Sequence, residues 1–371
     1  MMSFLLLLHQ LAFVVISPSL WFYLNHLDKV EYYGFIWASF FLGQTIFSCF
    51  WYFNKTVYKT NFIISSFLGI ISGFIYCYPS LISILISRFL QGCASSSAIL
   101  SLLQVCNGRN KSKNLTHLFF WQYVGYLIGP IIGWMLSYLP TTLIFWPGYC
   151  GLAISFTYIV FLIYVLIKYK EKEEIREGLL EIQILSKWHS NIRLLIFNMV
   201  NFLSFFLLSI YDCLITPITL YIYHYDFYIQ TLCWIIVGCL ILFSFVLLII
   251  MIGKVSDLVL YQSFLTLQFI GVILLLPMNL NIFFVALALV SFSLSGCTSL
   301  NLSLYSRELK TSEEFFLFLF YIVGALGRAS GSLFFQFLYQ DLYQIFITLS
   351  ILSFISLLLF SLSNILYFTC K

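Results

Sequence analysis

Three ionisable side chains fall inside stretches otherwise fit for hydrocarbon: Arg88, Asp212 and Arg328. A charge at the centre of an apolar segment costs on the order of 3 kcal/mol to insert, so each must face a cavity or a partner. Arg88 heads the run Arg88-Phe89-Leu90-Gln91-Gly92, where it serves either a solute or the backbone carbonyls of a neighbouring helix bend, and Arg328 sits between Gly327 and Gly331. Two fixed cations against one carboxylate favour an anionic solute. Asp212 precedes Pro217, whose missing N–H frees a carbonyl and marks helices that bend around cavities. It is either a proton carrier or a static partner of Arg328, which falls at a similar depth. Gln91, Ser95 and Asn301 supply uncharged contacts, either to a solute or to a neighbouring helix.

The same inventory argues against an enzyme. Tyr211-Asp212 lacks the second membrane-buried Asp that a carboxylate pair sharing a proton requires. His9 and His117 fall near helix ends, and His26, His189 and His224 fall in loops, so no buried general base is expected. The ten cysteines show no metal-ligand spacing, and no cofactor is expected.

What must position these residues is a membrane bundle. The chain has 371 residues, 62% hydrophobic and 9% charged, too little polar surface for a soluble domain. Twelve apolar stretches have roughly the 20 residues a spanning helix needs. They run over 4–24, 32–53, 61–78, 81–105, 117–138, 143–167, 194–223, 229–252, 260–277, 281–305, 315–339 and 343–366. Fifteen of the eighteen Lys and Arg then fall in loops on the side of the N-terminus; Lys29 alone falls opposite. Positive loops stay in the cytosol, which predicts that both termini are cytosolic. No basic patch suits nucleic acid; the expected partners are the bilayer, a small solute or ion, and protons, with the protein a monomer.

An internal repeat divides the chain. Ile16-Ser17-Pro18 answers Ile215-Thr216-Pro217 at an offset of 199, Gly92-Cys93 answers Gly296-Cys297 at 204, and Gly125-x-x-x-Gly129 answers Gly327-x-x-x-Gly331 at 202. An offset of six spans keeps both copies parallel, which predicts two six-helix halves, 1–167 and 193–371. The charged stretch 168–192, with Lys170-Glu-Lys-Glu-Glu-Ile-Arg-Glu, reads as a solvated linker.

Arg88-x-x-Gln91-Gly92 in the fourth span and Gly125-x-x-x-Gly129-Pro130-x-x-Gly133 in the fifth resemble motifs of major facilitator superfamily transporters, the second being an antiporter pattern. Together with Tyr32-Tyr33-Gly34, Ile215-Thr216-Pro217 and Arg328-Ala329-Ser330-Gly331, they look most like the lysosomal branch called major facilitator superfamily domain-containing protein 8. The resemblance implies an all-α fold of twelve helices and alternating access, with a lysosomal or endosomal membrane ahead of the plasma membrane. Its rivals are a chloride channel on the same fold and a transport-inactive receptor or scaffold. It departs from the family between the second and third spans. The usual Gly-x-Leu-x-Asp-Arg is replaced by Phe50-Trp-Tyr-Phe-Asn-Lys55, whereas the second half keeps Gly253-Lys-Val-Ser-Asp257. The glycines, Pro18, Pro217 and Asp257 are expected to serve packing and gating.

The topology makes a direct prediction. Sequons at Asn54, Asn110 and Asn114 face the cytosol and that at Asn301 lies in a span, so none is glycosylated. Glycosidase treatment of protein from a eukaryotic host leaves its gel mobility unchanged; a shift would overturn the topology.

Overall fold

The computed structural model describes residues 2–53, 58–105, 111–137, 146–168, 188–224, 227–277, 279–309 and 313–369. All of the regular structure there is helical. The charged linker lies almost wholly outside the described residues.

Each apolar stretch forms a helix. The first span is two: α1 (Met2–Val14) and α2 (Ser17–His26), separated at Val15 and Ile16. Pro18, in the first turn of α2, has no N–H for the Val14 carbonyl, so the chain cannot run on as one regular helix. This is the clearest departure from an uninterrupted first span. Next come α3 (Tyr33–Phe53), α4 (Tyr58–Tyr76), α5 (Leu81–Val105), α6 (Lys111–Ser137) and α7 (Trp146–Lys168). The second set is α8 (Trp188–Pro217), α9 (Phe227–Met251), α10 (Asp257–Ile273), α11 (Leu280–Glu308), α12 (Glu313–Leu338) and α13 (Leu342–Thr369). Pro217 ends α8 in a π-helical turn, Ile218–Ile222.

Helix pairings repeat between the two sets. α1 packs on α6, α3 on α5 and α4 on α7; correspondingly, α8 packs on α12, α9 on α11 and α10 on α13. The sets meet through α3 against α12 and α6 against α9, pairs that exchange under the same correspondence.

Glycines set these approaches. A Cβ on Gly92 would collide with the Phe40 carbonyl, and one on Gly43 with that of Phe89, so α3 and α5 touch backbone to backbone. Gly125 and Gly129 face the Leu7 carbonyl and Val14–Val15 of the first span, while Gly327 and Gly331 face the carbonyls of Phe202 and Phe206. The two Gly-x-x-x-Gly runs therefore pack helices within each set, α6 on α1 and α12 on α8. They do not form the surface between the sets. Gly133 and Pro130 lie within α6.

Six of the helices are long and apolar enough by themselves to cross a membrane. Their outer faces carry large apolar side chains, among them Ile46, Phe243, Phe337 and Leu358. That surface suits hydrocarbon.

Replacing Gly92 by Leu forces α3 from α5 and is expected to cost about 1–3 kcal/mol, the range for overpacked cores. Denaturation of the purified variant in detergent measures it. Stability equal to wild type would refute the close approach.

Candidate functional site

Asp212 and Arg328 meet. The guanidinium Nη2 of Arg328, on α12, donates to Asp212 Oδ2, on α8, at 2.8 Å. The second carboxylate oxygen accepts the Tyr126 hydroxyl of α6 at 3.0 Å. Side-chain exposure is 1% for Asp212 and 15% for Arg328, so the cation is the accessible member. It also stands over the Phe41 ring, 4.5 Å from its centroid. Tyr126 and Phe41 come from the first set of helices, whereas Asp212 and Arg328 come from the second. The carboxylate is thus bonded from both sides of the surface between the sets.

Local sequence explains the convergence. The Gly327 and Gly331 contacts let α12 lie against α8, which brings Arg328 within a hydrogen bond of Asp212. On α6, Tyr126 follows Gly125, whose contact with α1 holds that helix in place. Around the pair, Tyr126 packs on Trp234 and Tyr123 on Phe245, closing α6 against α9.

Arg88 is placed elsewhere. It is fully buried on α5; its Nη1 donates to the Phe13 carbonyl at 3.3 Å and to Gln91 Oε1 at 2.7 Å. Gln91 Nε2 in turn donates to the Ala12 carbonyl at 2.8 Å. The two side chains thus bond the last turn of α1, where carbonyls lack helical donors and the helix dipole favours a cation. The rings of Phe13, Trp37 and Phe40 face the guanidinium at 5.2, 5.6 and 5.9 Å. Phe13, Phe40 and Phe41 touch one another, an aromatic layer between the two arginines.

The uncharged candidates bond backbone. Ser95 Oγ donates to Gly92 of its own helix, and Asn301 Nδ2 to Phe197 of α8. Gly253 takes φ +87°, a left-handed turn that suits glycine, ahead of α10. Asp257, at the start of that helix, binds Arg307 at 2.6 Å, and Arg193 binds Glu308 at 2.8 Å. These pairs tie α10 and α8 to the end of α11. In the first set, Asn54 and Lys55 of the corresponding loop lie outside the described residues. Just before them, Tyr52 of α3 stacks on Phe318 of α12 at 4.1 Å and 8°.

Tyr126 and Phe41 were not singled out by the sequence. Tyr126 was within reach: adding the offset of 202 read from the glycine runs gives 328. The residue matching Arg328 in the first half is therefore the one that shares its carboxylate.

The sequence profile of the Major Facilitator Superfamily matches residues 2–332. The chain belongs to the Major Facilitator Superfamily. It is therefore a multi-pass membrane protein of a transporter family. Its fold is similar to the crystal structure of the human organic anion transporter MFSD10 (TETRAN). The TM-score is 0.72 and identity 16%, over 97% of this chain and 98% of that one. No curated protein sequence matches the chain.

Removing one partner of a buried pair strands the other charge, at about 3–5 kcal/mol. Asp212→Asn and Arg328→Gln are each expected to be destabilised on that scale, and the double variant by less than the sum. A double-mutant cycle on thermal unfolding reads the coupling; strict additivity would mean the pair is not formed.

Proposed function

We propose that the chain is a secondary-active carrier of a small anionic solute, working by alternating access. In this reading residues 1–167 and 193–371 are six-helix halves of a twelve-helix bundle, joined by 168–192, with both termini cytosolic. The observation that carries it is the Asp212–Arg328 pair bonded across to Tyr126. An anion that takes Arg328 displaces Asp212, and a carboxylate left alone in an apolar bundle is driven to bind a proton. Solute and proton then bind together at one site.

Protonation turns the acceptor of Tyr126 into a weaker one and loosens a bond between the halves, which couples binding to rocking. Arg88 contributes positive potential from behind Phe13 and Phe40, while Gln91 ties α5 to α1 and Asn301 ties α11 to α8. That MFSD10 is described as an organic anion transporter fits a solute with a carboxylate or similar group. The resemblance to the lysosomal branch favours an endolysosomal membrane.

Liposomes holding purified protein and a pH-sensitive dye test this. With an organic-anion gradient, flux is expected to saturate and to move protons, with both lost in Arg328→Gln. Asp212→Asn is expected to lose proton coupling. Electrogenic chloride flux that ignores Asp212 would replace the carrier by a channel. No flux for any anion would leave a receptor or scaffold.

A further inference from the structure

Arg88 has no counter-ion in its own half of the chain. Residues 1–168 contain only two carboxylates, Asp28 and Glu31, both between the first two spans, and Glu31 lies 3.9 Å from Lys29. The nearest carboxylate of the other half within the bundle, Asp212, is committed to Arg328. Among the described residues, no acid pairs with Arg88. Its Nη1 is used, but Nε and Nη2 have no hydrogen-bond partner although the residue is fully buried. Carbonyls and ring faces ease such a charge without neutralising it.

A partly open cavity lies alongside, its wall mostly apolar but set with hydroxyls. It lies between α1, α4, α5 and α7 and leaves ≈ 40 Å³ to the centres of water-sized spheres. One water needs roughly 10–15 Å³ by that measure, so there is room for about three, or for one larger ion. Its wall includes Ser87 and Gln91, the residues one before Arg88 and one turn after it. It also includes Ser65 and Tyr76, whose hydroxyls are buried and unpartnered. Tyr76 is an electrostatic neighbour of the guanidinium. Gly151 opens onto the same space, with no atom within 4 Å of where its Cβ would stand.

We propose that this cavity holds a resident small monovalent anion of chloride size, bound by the Ser65 and Tyr76 hydroxyls and balanced by Arg88. The sign follows from the wall, which has hydroxyl donors and a neighbouring cation but no carboxylate, so a metal cation would be repelled. The size follows from the space, which has room for about three waters. None of Asp212, Arg328 or Tyr126 lines it, so the site is separate from the proposed solute site and stands whatever the carrier moves.

The test is thermal unfolding of purified protein in chloride, bromide or gluconate at equal ionic strength. Wild type is expected to be stabilised saturably by chloride and bromide but not by gluconate. Ser65→Ala and Tyr76→Phe each remove a donor to a charged ligand and should weaken the half-saturating concentration by about tenfold. Gly151→Val fills the open space and should abolish the halide dependence while leaving a folded protein. Crystals grown with bromide should show its anomalous signal in the cavity. Equal unfolding in all three salts, or water alone in the cavity of bromide crystals, would overturn the proposal. So would a halide effect that survives Gly151→Val and Tyr76→Phe.

Discussion

A charge inside an apolar bundle has to be neutralised within reach of its own side chain, and Asp212 meets that constraint for Arg328. Without the carboxylate, the guanidinium would stand between Phe41 and Phe205 with only ring faces beside it. Without the guanidinium, Asp212 would retain one neutral donor, Tyr126. Helices α8, α12 and α6 must therefore converge at one depth. The glycine contacts of α12 on α8 and of α6 on α1 are what let them do so.

The pseudo-symmetry explains why the carboxylate bonds across the two sets. Offsets of 199 and 202 relate Asp212 to Phe13 and Arg328 to Tyr126. Equivalent positions meet here because α6 and α12 each pack both within their own set and on the other. One half supplies a cation there and the other a phenol, while Phe13 stands where the other half has its acid. Substitution has broken the symmetry while the backbone keeps it. The broken symmetry is what makes a site, since two like charges at equivalent positions would repel.

Much of this was legible in the sequence because membrane folds have few options. Backbone groups in hydrocarbon must bond internally, so apolar runs read directly as helices. The repeat then fixed which helices correspond, and Pro217 marked a real irregularity. Two things were not legible. The break after α1 depends on how Pro18 meets Val14 and on Arg88 and Gln91 reaching carbonyls about 75 residues away. Hydropathy sees only that the stretch is apolar. The separation of Arg88 from Arg328 depends on which face of α3 carries Phe40 and which Phe41, a rotation that no count of charges contains. Arg88 was legible as a costly residue that either serves a solute or bonds carbonyls at a neighbouring helix bend; the structure places it at the carbonyls that end α1.

The distribution of acids narrows where proton coupling can reside. The first half offers no carboxylate within its helices, and its loop copy lacks the Asp that the second half retains as Asp257. Asp257 and Glu308 are each bound to an arginine, at the start of α10 and the end of α11. Where the first half meets the second at that end, a stacked pair, Tyr52 on Phe318, closes the contact. Such a contact has no charge to titrate. In the proposed carrier, a proton that influences the rocking of the halves acts through Asp212, the one carboxylate among the described residues seen bonded from both sets of helices. Tyr126 makes that action mechanical, because its bond to Asp212 is the contact that protonation weakens.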